Sequence, residues 1–372
     1  MRFFETWQEV GARLAEAREE RGLTQDRLAS MVGLDRTALA KIERGVRGVS
    51  SLELARLAAA LERPIDWFIR EAPQAVVSRR ADQIESRTVT SLDALLEQVA
   101  RDTELILELG GLPDPQPRPP RLIKSFADAE DLATELRREI DAGTGPLVDI
   151  GSVVQQLGLY AFVFETPSNN VADGAYVALS NSGVTVINGN MPSGRRRFTL
   201  AHELGHHFLS DAYSTDYLDE GTGTIEGLIN AFAAYLLMPR DGATKFWRSH
   251  NGEQDPRVAM IELAAHYRLS WSAACSQAHN LRLIDDRLRA VLAADPPRRA
   301  DYLELGAAFV EELLPPWLPP DYQTAVIKLY RRNKISRERT LDLLHETLED
   351  ADLPAPYEIP IDALRSDLAR DR

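Results

Sequence analysis

Residues 197–209 read Arg-Phe-Thr-Leu-Ala-His-Glu-Leu-Gly-His-His-Phe-Leu and contain the pentad His202-Glu203-Leu204-Gly205-His206. On a helix, residues i and i+4 lie one turn apart on the same face, so the two imidazoles can bind one metal ion. Apolar residues flank the pentad on both sides, which predicts a buried helix. A buried helix rarely carries this many polar groups without a partner for their charge.

The spacing of the pentad is typical of zinc peptidases. Two neutral histidines hold the ion, a further position stays open for water, and the glutamate between them takes the proton. We therefore expect Zn²⁺ as the cofactor, with His202 and His206 as ligands and Glu203 as the catalytic acid and base. The alternatives are a surface helix with two unrelated histidines, or a purely structural metal site.

A catalytic zinc needs a third protein ligand, and an apolar helix downstream offers one. This helix begins near Glu226 and ends at Pro239, and its polar pair, Glu226 and Asn230, is again four residues apart. We expect Glu226 to be the third ligand and Asn230 to hydrogen-bond one of the histidines. Alternatively, Glu226 only faces the positive end of the helix dipole. Four acids of an intervening loop compete as ligands: Asp211, Asp216, Asp219 and Glu220.

These residues resemble the ImmA/IrrE family of metallopeptidases over about residues 120–290. The resemblance rests on Arg197 to His206 and on the run Glu226-x-x-x-Asn230-x-Phe232-Ala233-Ala234-x-Leu236-Leu237-Met238-Pro239, with Asp173-Gly174-Ala175-Tyr176 and Val186-Ile187-Asn188 upstream. It implies a gluzincin-like site with His202, His206 and Glu226 on zinc. Members of the family typically cleave a helix-turn-helix repressor. Ile229 departs from the alanine that many members carry, which should alter packing and not ligation.

Residues 1–70 are predicted to form a bundle of five short helices. Gly22, Gly33 and Gly45 mark three helix ends, and Thr24 and Asp35 are N-caps of the helices that follow the first two. A helix, a short glycine-containing turn and a second helix within a small bundle form the helix-turn-helix pattern.

This segment resembles the lambda-repressor-like (XRE) DNA-binding domains over about residues 7–70. The resemblance rests on Leu23-Thr24-Gln25-x-x-Leu28-Ala29 and on Gly33-Leu34-x-x-Thr37-x-Leu39-x-Lys41-Ile42-Glu43-Arg44-Gly45, with Leu54-Ala55-x-Leu57-Ala58-x-x-Leu61. It implies that the third helix enters the major groove of double-stranded DNA. The expected DNA-contacting residues are Gln25, Arg36, Thr37, Lys41, Arg44 and Arg47, whereas Glu43 is expected to pair within the bundle. A bundle used for protein contact is the alternative.

Composition limits the remaining choices. The chain has 372 residues, a net charge of −14 and one cysteine, Cys275, which excludes a disulfide framework and a cysteine-rich zinc site. Residues 1–80 carry 14 Arg and Lys against 12 Asp and Glu, so the acidic excess lies in the rest of the chain. No signal region and no long apolar run is present, so we expect a cytoplasmic protein that does not contact the membrane.

The predicted fold class is α+β and mostly helical: a five-helix bundle, then a zincin-like peptidase domain with a small sheet, then a helical C-terminal tail. The expected boundaries are 1–70 for the DNA-binding domain, 71–121 for a linker with an amphipathic helix, 122–290 for the peptidase domain and 291–372 for a region of unknown role. The linker helix, residues 91–110, is interpreted as a dimerisation or docking element. The run Arg195-Arg196-Arg197 is interpreted as solvated, with a contact to substrate or to an acidic loop as the alternative. His207, His250, His266 and His279 are interpreted as ordinary core or surface residues, and the alternative for His266 or His279 is stabilisation of the reaction's oxyanion.

These signals together predict a DNA-binding transcriptional regulator carrying a zinc endopeptidase that cleaves a repressor or an antitoxin. The expected partners are double-stranded DNA and the protein substrate, and a homodimer stays open. One alternative is a transcription factor whose zinc domain only senses or dimerises. Another is the toxin of a toxin–antitoxin pair.

Overall fold

The computed structural model describes residues 4–61, 63, 65–69, 75–76, 91–113, 115, 118, 121–167, 172–209, 225–250, 255–307 and 311–357. The chain forms two compact units that divide near residue 75. Several predicted features lie outside the described residues: most of the connector between residues 70 and 90, much of the proline-rich linker, the four competing loop acids and the last fifteen residues.

The first unit is a bundle of four α-helices followed by one 3₁₀ turn. The elements are α1 (Trp7–Glu20), α2 (Gln25–Val32), α3 (Arg36–Glu43), α4 (Ser51–Leu61) and the 3₁₀ turn Ile65–Phe68. The side chains of Thr24 and Asp35 accept hydrogen bonds from the first turns of α2 and α3. Gly33 ends α2 at φ +72°, a left-handed conformation that favours glycine. The predicted bundle is confirmed.

Two helices of this bundle are locked together by a buried ion pair. Nε of Arg18 on α1 lies 2.7 Å from Oε1 of Glu43 on α3. Apolar side chains from all four helices, including Leu14, Leu39 and Leu57, form one core in the same bundle. Glu43 therefore fixes α3 within the bundle, as the sequence predicts.

The second unit contains the sheet and the remaining helices. Its first elements are α5 (Ser91–Glu108), α6 (Phe126–Glu139), α7 (Ile150–Gln156), β2 (Leu159–Phe164), β3 (Gly174–Ala178), β4 (Gly183–Asn188) and α8 (Ser193–Phe208), with the two-residue strand β1 (Ala75–Val76) at the boundary of the units. The chain continues with α9 (Ile225–Leu237), α10 (Arg240–His250), α11 (Pro256–His266), α12 (Trp271–Asn280), α13 (Asp286–Ala294), α14 (Arg299–Glu304), α15 (Pro320–Arg331), α16 (Arg337–Leu343) and a 3₁₀ turn, Asp350–Asp352. The fold is mostly helical with a small mixed sheet, so the predicted class is confirmed.

The sheet separates two apolar layers. β4 pairs in parallel with β2 and antiparallel with β3. Because side chains alternate across a strand, Ala161 and Val163 of β2 pack in the layer that contains α8. Phe162 and Phe164 pack in the opposite layer, which α5, α15 and α16 complete. The helix of the predicted linker and two helices of the predicted tail therefore cover the second face of the sheet.

Candidate metal centre

The pentad lies on α8, which is buried along nearly its whole length. The helix α9 crosses α8 closely at Gly205. A Cβ added there would lie 2.8 Å from Cγ2 of Ile229 and 3.1 Å from Cδ1 of Phe232, so a side chain at this position would push the helices apart. In sequence, α8 ends at Phe208 and α9 begins at Ile225. Their close approach in the structure brings the start of α9 beside the two histidines.

Three ligand-type side chains converge at this crossing. Nε2 of His202 and Nε2 of His206 are 3.0 Å apart, and the carboxylate of Glu226 lies 3.3 Å from the first and 3.7 Å from the second. All the donor atoms lie within 4.8 Å of one another. Both histidines are buried, whereas the side chain of Glu226 is 51% exposed, so the cluster opens toward solvent on the α9 side.

The spacing of these atoms fits a tetrahedral zinc site. Two ligands held about 2.1 Å from one ion at tetrahedral angles lie about 3.4 Å apart, and the three separations here bracket that value. Two imidazole nitrogens and one carboxylate oxygen are also donors that zinc prefers, and a set of three leaves a fourth position for water or substrate. Among the described residues, this is the one cluster of such side chains that could hold a metal ion.

Asn230 orients the first histidine. Its Oδ1 lies 3.1 Å from Nδ1 of His202, and it is one turn beyond Glu226 on α9. An amide oxygen can only accept, so Nδ1 carries the proton and Nε2 keeps its lone pair facing the cluster. The structure thus places Asn230 in the contact expected from the sequence.

Burial keeps the second histidine neutral. Desolvation, aided by the adjacent imidazole of His202, lowers the pKa of His206 to about 4. A neutral imidazole is the form that binds a metal ion, so this environment favours ligation at neutral pH.

Glu203 lies between the histidines in sequence and is buried against strand β3. A Cβ added at Gly174 would lie 2.9 Å from Oε1 of Glu203 and 2.8 Å from Cγ2 of Thr199. The glycine therefore leaves room for the carboxylate. Nothing in the sequence analysis identified Gly174 as a contact of Glu203, although the residue lies in the quoted strand motif.

Two of the three arginines at the start of α8 are buried, so the interpretation of a solvated run is wrong for Arg196 and Arg197. Arg196 donates to the carbonyl oxygens of Gly189 and Met191 at 3.0 and 2.6 Å. Arg197 is completely buried. Its Nη1 forms an ion pair with Glu312, and its Nη2 donates to the carbonyl of Leu147 at 2.9 Å.

The first arginine of the run is exposed and also has a partner. Arg195 makes a bidentate contact with the buried carboxylate of Asp173, which precedes β3. Each cation thus has partners that satisfy it, so the unfavourable position near the positive end of a helix dipole is offset. Apolar periodicity does not predict these contacts, because it concerns apolar side chains within one helix, whereas the partners are carboxylates and carbonyl oxygens outside α8.

The other histidines do not join the cluster. Nδ1 of His207 lies 3.1 Å from the hydroxyl of Tyr176, and burial lowers the pKa of His207 to about 4. His279 contacts Asp286, His250 stacks on the ring of Phe246, and His266 contacts the same ring at an angle of 33°. Cys275 is buried in the core, as expected, and burial raises the pKa of its thiol to about 11.

The residues expected to contact DNA divide into two groups in the first unit. Arg36, Thr37, Lys41 and Arg44 are exposed on or next to α3. The remaining two are half-buried and contact acids of the bundle: Nε2 of Gln25 donates to Glu43 at 2.7 Å, and Arg47 pairs with Glu53 at 2.6 Å. Two of the exposed residues also have protein partners, since Arg36 lies 3.7 Å from Asp26 and Nε of Arg44 donates to the carbonyl of Ala40 at 3.1 Å.

Two parts of the chain match known protein families. Residues 155–279 match the Peptidase_M78 family, described as an IrrE N-terminal-like domain, and residues 14–68 match the helix-turn-helix family HTH_3. The chain joins a helix-turn-helix domain to an IrrE-like domain. The IrrE-like match contains β2 to α12 and includes all three members of the metal cluster. The resemblances deduced from the sequence are confirmed.

Two solved structures are similar to the chain. One is the restriction-modification controller protein C.AhdI from Aeromonas hydrophila, with 39% identity over 17% of this chain and 94% of that one, at a TM-score of 0.17. The other is PlcR from Bacillus thuringiensis in complex with the peptide PapR7 and DNA, with 10% identity over 98% of both chains and a TM-score of 0.18. At these TM-scores neither structure defines the overall fold. No curated protein matches.

No helix among the described residues of the helix-turn-helix and IrrE-like units is long and apolar enough to cross a membrane.

Proposed function

We propose that the chain is a DNA-binding transcriptional regulator whose IrrE-like domain is a zinc-dependent endopeptidase. Its substrate is a regulatory protein, either a repressor or an antitoxin. The observation that carries this proposal is the convergence of His202, His206 and Glu226 from two helices. Their donor chemistry and spacing suit one zinc ion with an open position.

The chain supplies the ligands and their orientation. His202 and His206 would bind zinc through Nε2, and Glu226 through a carboxylate oxygen. Asn230 holds the imidazole of His202 in the required tautomer through the 3.1 Å contact at Nδ1. When bound, zinc lowers the pKa of a water molecule toward about 7 and polarises a carbonyl group.

Glu203 moves the proton. Its carboxylate accepts a proton from the attacking water and passes it to the amide nitrogen that leaves. The carboxylate is buried beside Gly174, in a position that excludes bulk solvent from one side. A water-poor surrounding strengthens the electrostatic interaction between the carboxylate and the reacting proton.

The decisive experiment separates metal binding from cleavage. The zinc-loaded full chain is incubated with the product of the adjacent regulatory gene, and any cut is mapped by mass spectrometry. Glu203→Gln should retain zinc, measured by elemental analysis, and lose at least about a thousandfold in rate. The matched control Glu304→Gln changes an exposed acid of α14 and should cleave as the parent does.

Two outcomes would contradict the peptidase proposal. Cleavage by Glu203→Gln at the parent rate would exclude the proposed mechanism. One zinc ion per chain without Glu203-dependent cleavage of any neighbouring regulator would favour the alternative, in which the domain only senses or dimerises.

DNA binding is proposed for the first unit on the basis of the helix-turn-helix match and the exposed face of α3. Thr37 and Lys41 would face bases or phosphates in the major groove, with Arg36 and Arg44 beside them. Selection of bound sequences from random double-stranded DNA would identify the operator. Lys41→Ala should then weaken operator binding at least about tenfold, whereas equal binding of all sequences by the parent protein would contradict specific recognition.

A further inference from the structure

A groove opens directly beside the metal cluster. Its volume is about 970 Å³, and it lies between α9 and α12, with the starts of α6 and α8 at its sides. Its lining includes Phe126, Phe198, Ala231, Ala234, Tyr235 and Gln277.

The groove is continuous with the cluster because one face of α9 lines it. That face consists of Gly227, Asn230, Ala231, Ala234 and Tyr235, which follow the helical spacing i, i+3, i+4, i+7 and i+8. Glu226 immediately precedes this face, and Asn230 also contacts His202. From Glu226 to Ala234 the helix rises about 12 Å, which is the length of three to four residues of extended peptide.

The chemistry of the groove suits an apolar side chain. Its walls present the rings of Phe126, Phe198 and Tyr235 and the methyl groups of Ala231 and Ala234. Phe126 is the first residue of α6 and remains 55% exposed, so apolar surface at the groove is left in contact with water. Covering such surface with an apolar side chain of a ligand is favourable.

Polar groups line the other wall, on α12. Ser272 and Ser276 lie there, together with Gln277, whose side chain is 1% exposed. Within the described part of the chain, Oε1 of Gln277 accepts no hydrogen bond, although its Nε2 donates to the carbonyl of Met238 at 3.3 Å. A buried acceptor without a donor costs free energy, and a peptide N–H in the groove would supply the missing donor.

We propose that this groove binds the segment of the substrate next to the scissile bond, and that it selects an apolar or aromatic residue within about four positions of the cut. The inference rests on the proposed peptidase function and names the class of sequence that this function acts on. Phe126 and Phe198 contact the selected side chain, and the serines of α12 face the peptide backbone.

The first test measures the sequence preference of the zinc-loaded full chain. The probe is a library of tryptic peptides from a bacterial lysate, and the cut positions are identified by mass spectrometry. We expect enrichment of Leu, Ile, Met or Phe at one fixed position within four residues of the cut. Ser276→Trp fills the groove from α12 and should lower the cleavage of these peptides at least tenfold. The matched control Ser249→Trp changes an exposed serine of α10 outside the groove and should leave cleavage unchanged.

The second test needs no cleavage. The best-cleaved peptide, carrying a fluorescent label, is bound to Glu203→Gln and followed by anisotropy. Adding Ser276→Trp or Phe126→Ala to this variant should weaken binding at least fivefold, and replacing the selected residue of the peptide by Ala should do the same.

The results distinguish the two proposals. Cleavage that depends on Glu203 but shows no apolar preference, or that Ser276→Trp leaves unchanged, overturns the groove assignment and leaves the peptidase intact. The absence of any Glu203-dependent cut in the library overturns both.

Discussion

Arg197 and Glu312, which lie 115 residues apart in the chain, form an ion pair at the start of α8. Arg197 is completely buried, and Glu312 also pairs with Arg268. Although burial lowers the pKa of Arg197 to about 9, the guanidinium remains charged at neutral pH. The segment that contains Glu312, between α14 and α15, thus holds in place helix α8, which carries both histidines.

The first prediction concerns this ion pair. Glu312→Ala should lower the free energy of unfolding by about 3 kcal/mol or more, because two arginines lose their carboxylate and one of them is fully buried. Chemical denaturation of the full chain measures the effect. The matched control Arg337→Ala breaks an exposed pair with Asp350 and should have a much smaller effect, because water solvates both groups once they separate. Equal effects of the two changes would contradict the bracing role of Glu312.

The second prediction concerns the amide that orients His202. Asn230→Ala should weaken zinc binding about tenfold to a hundredfold, because the imidazole loses the acceptor that fixes its tautomer. Competition with a fluorescent chelator measures the affinity. Asn280→Ala, at the exposed end of α12, is the control and should bind zinc as the parent does. Unchanged affinity in Asn230→Ala would show that the contact with His202 plays no part in ligation.

The third prediction concerns the space beside Glu203. Gly174→Ala should lower the cleavage rate about tenfold or more while zinc content stays the same, since the added methyl group displaces the Glu203 carboxylate from its position. Rates and metal content are measured on the same samples. Gly145→Ala is the matched control, because a Cβ there meets no atom within 4 Å. A normal rate in Gly174→Ala would mean that the carboxylate works from another position.

The fourth prediction concerns pH and His345, which is buried against Phe164 in the second layer. Burial, with the nearby cation of Arg339, lowers the pKa of His345 to about 4. Between this value and the unfolded value of about 6.5, the unfolded chain binds more protons than the folded chain. The free energy of unfolding should therefore fall as the pH drops through this window, by up to about 1.4 kcal/mol per pH unit from this residue.

His345→Gln removes this contribution, so the variant should show a shallower dependence of stability on pH between about 6.5 and 4. Denaturation midpoints at several pH values, all recorded without metal, give the slope. A slope equal to that of the parent would contradict a neutral buried His345.

Much of the site could be predicted from local pattern. The spacing of His202 and His206 and the polar pair on α9 each concern residues within one helix, where periodicity determines which side chains share a face. The long-range contacts could not be predicted in this way. Glu312 lies in a proline-containing segment without apolar periodicity, so the sequence does not indicate which arginines it contacts in the folded chain.

The sequence of β2 indicates the second apolar layer, on the side of the sheet away from α8. All six residues of β2 are buried, and the strand reads Leu-Tyr-Ala-Phe-Val-Phe without polar alternation. A strand apolar on both sides predicts a sheet covered on both faces. In the structure this second face is covered by α5, which the sequence predicts to be a dimerisation or docking helix, and by helices of the C-terminal region of unknown role.

The bridge between Val163 and Trp317 sets a practical limit on where the chain can be shortened. Each of the two residues donates its N–H to the carbonyl of the other at 2.9 Å, so the segment after Leu313 borders β2 as an extra backbone partner. A fragment ending at residue 279, where the IrrE-like similarity stops, would expose this edge and the rings of Phe162 and Phe164 to water. The IrrE-like similarity stops before the helices that cover this face of the sheet, so a fragment designed to fold should include those helices.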